Sequence, residues 1–142
     1  SQVDCSNCLV LGSVNGVNGA TANTFVGIGT NTPNAKLQIA GGALVVEPVT
    51  VATGSVANFM QSNTIILQSV GGTSISLSGL MPGGKYTLIV EDAVARTYTF
   101  SGCGGTTRFQ PANGSTTASS HTIYEITYTG SNCYVKWSSG YM

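Results

Sequence analysis

Val26-Gly-Ile-Gly-Thr-Asn-Thr-Pro-Asn-Ala-Lys-Leu-Gln-Ile-Ala-Gly-Gly42 sets apolar side chains alternately with glycine or polar residues on either side of a proline-containing turn. Val26 and Ile28 point to one side of an extended segment, and Gly27 and Gly29 leave the other side bare. Around Pro33, Asn31 to Asn34 reads as a turn, after which Leu37 and Ile39 alternate with Lys36 and Gln38 until Gly41-Gly42 ends the run. The pattern predicts a hairpin of two short strands. So few apolar side chains leave an isolated hairpin marginal in water. Another surface must cover that face.

Composition extends the reading to the whole chain. Only 7% of the 142 residues are charged, so long exposed helices have little to be built from, and 19 glycines supply turns. Hydrophobic residues make up 42% in alternating runs, which argues against disorder. An all-β protein is expected. Five basic and five acidic residues cancel, and without a run of Lys or Arg in the sequence no nucleic acid partner is expected. No apolar run reaches the length of a membrane span, so no membrane insertion is expected either. The chain starts at Ser1 without Met and is read as a processed or excised C-terminal piece of a longer protein.

The glycines, proline and apolar positions of 26–42 resemble the G-I-G-T-x-x-P-x-x-K-L-x-[VI]-x-G segment that precedes the heads of bacteriophage tail fibres and related bacterial trimeric fibre adhesins. The resemblance implies that three chains wrap around one axis, each covering the others' bare face. It covers about a tenth of the chain.

Beyond Gly41-Gly42, Ala43 to Ala52 is apolar and interrupted by Pro48, which suits an edge or bent strand. Strands are then predicted at 55–61, 64–70, 73–78, 85–91, 96–100, 121–128 and 133–137. Turns at Gly71-Gly72, Met81–Gly84, Glu91–Ala95 and Thr129–Asn132 separate most of them. This regular spacing is that of an antiparallel β-sandwich. On one face Tyr86, Leu88 and Val90 are expected to meet Tyr124, Ile126 and Tyr128 as core. The run Leu80–Val90, followed by Thr97–Phe100 and Tyr124–Tyr128, also resembles, more loosely, a β-sandwich head of phage tail proteins. The expected architecture is a short intertwined trimeric β stalk over 1–42, followed by an antiparallel β-sandwich head over 43–142.

Four cysteines are present. Cys5 and Cys8 form a C-x-x-C pair without the βαβ context of a redox motif or a second ligand pair for zinc, so they read as staples within or between chains. Cys103 lies in a glycine turn and Cys133 opens a strand. A Cys103–Cys133 disulfide is the expected pairing, one of three that four cysteines allow.

Catalysis is not expected. His121 is the only imidazole and reads as a polar strand-end residue. Glycoside cleavage needs two carboxylates facing one bond, and adjacent Glu91 and Asp92 point opposite ways in extended chain. Gly83-Gly84-Lys85 lacks the rest of a phosphate loop. A polysaccharide-cleaving tailspike needs a long β-helix, for which the length is too short. Neither cofactor nor metal is expected.

Binding fits better. Sugar recognition uses an exposed aromatic face and nearby planar polar groups. The candidates are Arg108 and Phe109 in the Gly/Ser/Thr-rich loop 103–120, and Tyr134, Lys136, Trp137 and Tyr141 near the end of the chain. Tyr134 and Lys136 share one face of their strand, while Trp137 shares the other with Cys133 and Val135 and reads more as core than as a platform. Asp92 and Arg96 flank a second candidate turn. The function expected is a homotrimeric adhesin on an extracellular or cell-surface fibre, or a virion tail, that recognises a surface glycan of a target cell. The alternative is a purely structural trimerisation or decoration module.

Overall fold

The computed structural model describes residues 25–41 and 44–142. The expectations for Cys5 and Cys8 lie outside the described residues. The chain divides into two compact units, Ser1–Val45 and Val46–Met142, and the described residues are all-β, without a helix.

In the first unit β1 (Val26–Ile28) pairs with β2 (Leu37–Ile39) in parallel, Val26 opposite Leu37 and Ile28 opposite Ile39. The hairpin expected here is therefore corrected to a parallel pair. Alternation reports which face a side chain takes and carries no information on strand direction. The connection folds back over itself: Thr32 N–H donates to Thr30 Oγ1 at 3.2 Å, and Asn34 N–H donates to Gln38 Oε1 at 2.9 Å. Gly29 makes the return possible. Its φ is +75°, and a Cβ there would collide with the Ala40 carbonyl oxygen, whose own residue donates to Ile28 O at 2.8 Å. Phe25, Ile28 and Leu37 stay exposed at 44%, 55% and 59%, a large apolar share for a sheet of two strands.

The second unit contains two sheets around one core. The strands are β3 (Val49–Val51), β4 (Val56–Asn58), β5 (Thr64–Gln68), β6 (Ser74–Ser78), β7 (Lys85–Asp92), β8 (Thr99–Ser101), β9 (Thr107–Gln110), β10 (Ser120–Tyr128) and β11 (Cys133–Tyr141). A six-stranded sheet has the order β3-β5-β7-β10-β11-β9, and a three-stranded sheet the order β4-β6-β8. Up to β8 the chain changes sheet at every connection, so β3, β5 and β7 stack in parallel in one sheet and β4, β6 and β8 in the other. That winding is a short two-sheet β-solenoid. The antiparallel β-sandwich expected from the turn spacing is corrected accordingly, since five of the seven pairings in this unit are parallel. The antiparallel hairpin β10–β11 extends the larger sheet beyond the last coil, and β9, expected to be loop, closes its edge in parallel with β11.

Alternation explains the core. Ile65 and Leu67, Ile75 and Leu77, and Tyr86, Leu88 and Val90 are buried at every second position. Across the β7–β10 pairing Tyr86 faces Ile126 and Leu88 faces Tyr124. Tyr128, expected in the same face, lies beyond the end of β7 and is only partly buried, its hydroxyl donating to Gly130 O at 2.7 Å. Each fully buried large apolar side chain stabilises the fold by roughly 1.5–3 kcal/mol.

The Cys103–Cys133 disulfide is present, both residues buried, and joins the end of the last coil to the start of β11. Gly102, at φ +95°, lies so close to the Leu77 carbonyl that a Cβ would overlap it.

One core group lacks a partner. The Tyr124 ring is fully buried, edge-on to Phe100 at 5.0 Å and stacked on Trp137 at 6.1 Å, yet its hydroxyl has no protein hydrogen-bond partner among the described residues. Tyr124→Phe is expected to leave stability unchanged or raise it by about 1 kcal/mol, because it removes an unpaired buried donor. Urea unfolding of the variant checks this; a loss above 1 kcal/mol would contradict it.

Candidate functional site

The outward face of the larger sheet holds an open cleft. Residues paired across a sheet share a face. Thus the register places Lys85, Thr127, Tyr134 and Arg108 in one row and Thr87, Glu125, Lys136 and Gln110 in the next, each row crossing β7, β10, β11 and β9. At about 4.8 Å per strand a row is roughly 14 Å long. These residues line a cleft of about 750 Å³ together with Asn63, Tyr86, Phe109, Ile126 and Val135. That volume lies within the range of small-molecule sites. Tyr134 is 48% exposed and offers an open aromatic face.

Five basic residues serve the whole chain: Lys36, Lys85, Arg96, Arg108 and Lys136. Three of them line this cleft, against the single carboxylate of Glu125. The two ion pairs found among the described residues, Arg96–Asp92 at 2.9 Å and His121–Glu91 at 3.5 Å, lie elsewhere. Lys85, Arg108 and Lys136 thus have no carboxylate within 4 Å among the described residues.

Of the residues singled out from sequence, Arg108, Tyr134 and Lys136 come together here. Phe109 also lines the cleft, but its ring packs against the core, 5.5 Å from that of Phe100. Trp137 lies on the opposite face, stacked on Tyr124, and its indole N–H donates to Pro111 O at 3.2 Å. Tyr141, 49% exposed, stands at the far end of β11, its hydroxyl 2.7 Å from Ser138 Oγ. Lys85, Glu125, Gln110, Thr87, Thr127 and Asn63 were missed. Outward alternation in β7 and β10 would have found four of them, but Gln110 depends on β9, which reads as loop.

Asp92 and Arg96 form a different feature. The Asp92 carboxylate, 8% exposed, accepts from Tyr98 Oη at 2.5 Å and from Arg96 Nε at 2.9 Å, and Tyr98 is fully buried. Thr116 joins the knot, its Oγ1 accepting from Arg96 N–H at 3.0 Å and its N–H donating to Arg96 O at 2.9 Å. Burial pushes the Asp92 carboxyl up, but bonds from the Tyr98 hydroxyl, Val94 N–H and Arg96 outweigh this and hold it below the usual carboxylate range. Burial, then the hydrogen bond to the Asp92 carboxylate, pushes the Tyr98 hydroxyl up, and burial alone does so for Tyr124. The signs follow. Asp92 is depressed in the folded state, so its contribution is present above the unfolded value of about 4 and is lost as pH falls through the folded value. Both tyrosines are raised, so the unfolded state releases their protons first and stability falls as pH rises past about 10. Urea unfolding from pH 2 to 11 is expected to show a plateau with a decline at each end. A Tyr98→Phe variant should lose part of both declines.

A second hollow, about 410 Å³, is lined by Gln68, Glu91, His121 and neighbours. Gln68 Nε2 donates to Glu91 Oε2 at 2.8 Å. His121 stands at the start of β10, half exposed beside Glu91.

Compared with known proteins, the chain matches no family model, no curated protein and no solved structure.

Proposed function

We propose that the chain is the receptor-binding part of a homotrimeric fibre adhesin, resembling those of phage tail fibres, that recognises a glycan on a target cell outside its own cell or on a virion tail. The observation that carries this reading is the open cleft in which Arg108, Tyr134 and Lys136 converge from adjacent strands. An exposed aromatic ring flanked by long cationic and amide side chains suits a sugar ring and its hydroxyls.

Trimerisation is supported by the first unit. A parallel pair of three-residue strands with Phe25, Ile28 and Leu37 exposed has too little core to stand alone. Copies around one axis supply the missing cover, and three shallow sites on one particle bind a cell far more tightly than one. The buried disulfide is of the kind that oxidising, extracellular surroundings maintain.

Fluorescently labelled protein is incubated with Gram-negative and Gram-positive cells, and bound label is counted after periodate treatment of the cells. The expected result is binding to some cells that periodate abolishes. Binding to none would favour the purely structural module, and binding indifferent to periodate would replace the glycan by another envelope component.

A further inference from the structure

Resting on the glycan reading above, we infer that the cleft takes an acidic saccharide, its ring against Tyr134 and its anionic group among Arg108, Lys136 and Lys85. Charge is so scarce in this chain that its placement is informative. With 7% charged residues and no net charge, no cation-rich surface would be expected by chance composition. Yet three of five basic side chains come from three separate strands, β7, β9 and β11, onto one face. They are not neutralised there. Glu125 pairs in register with Lys136, but the two charged ends are not within 4 Å, and Lys85 and Arg108 face Thr127 and Tyr134 in their row instead. The other basic residue of this unit, Arg96, is spent on Asp92.

The cleft therefore carries an excess of two positive charges, by three cations against one carboxylate. A neutral sugar uses none of it. An anionic substituent gains charge-assisted hydrogen bonds, and the planar Arg108 fork meets a carboxylate or phosphate with two parallel bonds. Arg108 sits beside Tyr134 in direct register, so ring stacking and anion capture fall within one sugar unit. Glu125 is left to accept from ring hydroxyls and, being negative, weakens binding of the anion.

The test uses the full chain and matched oligosaccharide pairs in calorimetric titration. One pair is oligogalacturonate and its carboxyl-reduced neutral counterpart; the other is lipopolysaccharide core oligosaccharide before and after dephosphorylation. In at least one pair the acidic member is expected to bind about tenfold tighter or more, with an advantage that shrinks as salt is raised. Which pair responds distinguishes a carboxylate from a phosphate source. Arg108→Gln and Lys136→Gln should each weaken that binding several-fold with unfolding midpoints unchanged, since both side chains are exposed. Glu125→Gln should strengthen it, which no loss of structure would do. Equal affinity for acidic and neutral members overturns the inference and leaves the glycan reading standing. No binding to any of the four oligosaccharides by the folded protein overturns the inference, and cell binding that survives periodate overturns the glycan reading as well.

Discussion

Replacing Cys103 and Cys133 together by alanine is expected to destabilise the second unit by about 2–4 kcal/mol and to lower its unfolding midpoint by roughly 10–20 °C. The bond closes a chain segment of 30 residues that includes all of β9 and β10, so its loss frees that segment in the unfolded state. Both sulfurs are buried, and alanine also leaves unfilled volume. The position of the bond matters as much as its loop. It ties the turn after β8, the last strand of the smaller sheet, to β11 of the larger one, where the parallel coils give way to the hairpin. The double variant leaves Cys5 and Cys8 in place, which reductant would not. A loss below 1 kcal/mol by urea unfolding would mean that the core alone holds the two sheets together.

Asp92→Ala is expected to cost about 2–4 kcal/mol, although the residue is small and lies near a turn. The fully buried Tyr98 hydroxyl and the partly buried Arg96 guanidinium would lose their shared acceptor, and an unmet buried donor costs about 1–3 kcal/mol. Tyr98→Phe removes one donor and leaves the Arg96 pair, so a smaller loss, about 1.5 kcal/mol, is expected. Combined with Tyr98→Phe, Asp92→Ala should cost less than the two separate losses together, because the double variant orphans no tyrosine. Additive losses in that cycle would show that the hydroxyl and carboxylate act independently.

The core was legible because it depends only on alternation. Tyr86, Leu88 and Val90 on β7 and Tyr124 and Ile126 on β10 are buried as their spacing implies, although Val90 pairs with Thr122, and the disulfide is Cys103–Cys133, the expected one of three pairings. Strand direction was not legible. Gly71-Gly72 looks like the turn of a hairpin between β5 and β6, but it is the corner where the chain passes from one sheet to the other, and each strand then stacks on the one before last. Parallel and antiparallel strands share the same period, so only the pairing decides. The first unit repeats the lesson, with β1 and β2 parallel.

The site divides in the same way. Tyr134 and Lys136 could be placed on an outer face from β11 alone. That Arg108 lies beside Tyr134, and Lys85 two strands further on, depends on register between segments far apart in sequence. Asp92 and Arg96 stand near a turn as expected, but their charged groups are bonded to each other, and the Asp92 carboxylate also accepts from Tyr98. Nothing in the local sequence signals that Tyr98 reaches them.

In the proposed trimer, copies of this chain cover one another's β1–β2 face, and the solution mass decides whether they do. Light scattering after size exclusion, on the full chain with and without reductant, should give about three times 14.5 kDa in both conditions. A monomer of 14.5 kDa in both would contradict the proposed trimer and leave Phe25, Ile28 and Leu37 exposed in solution.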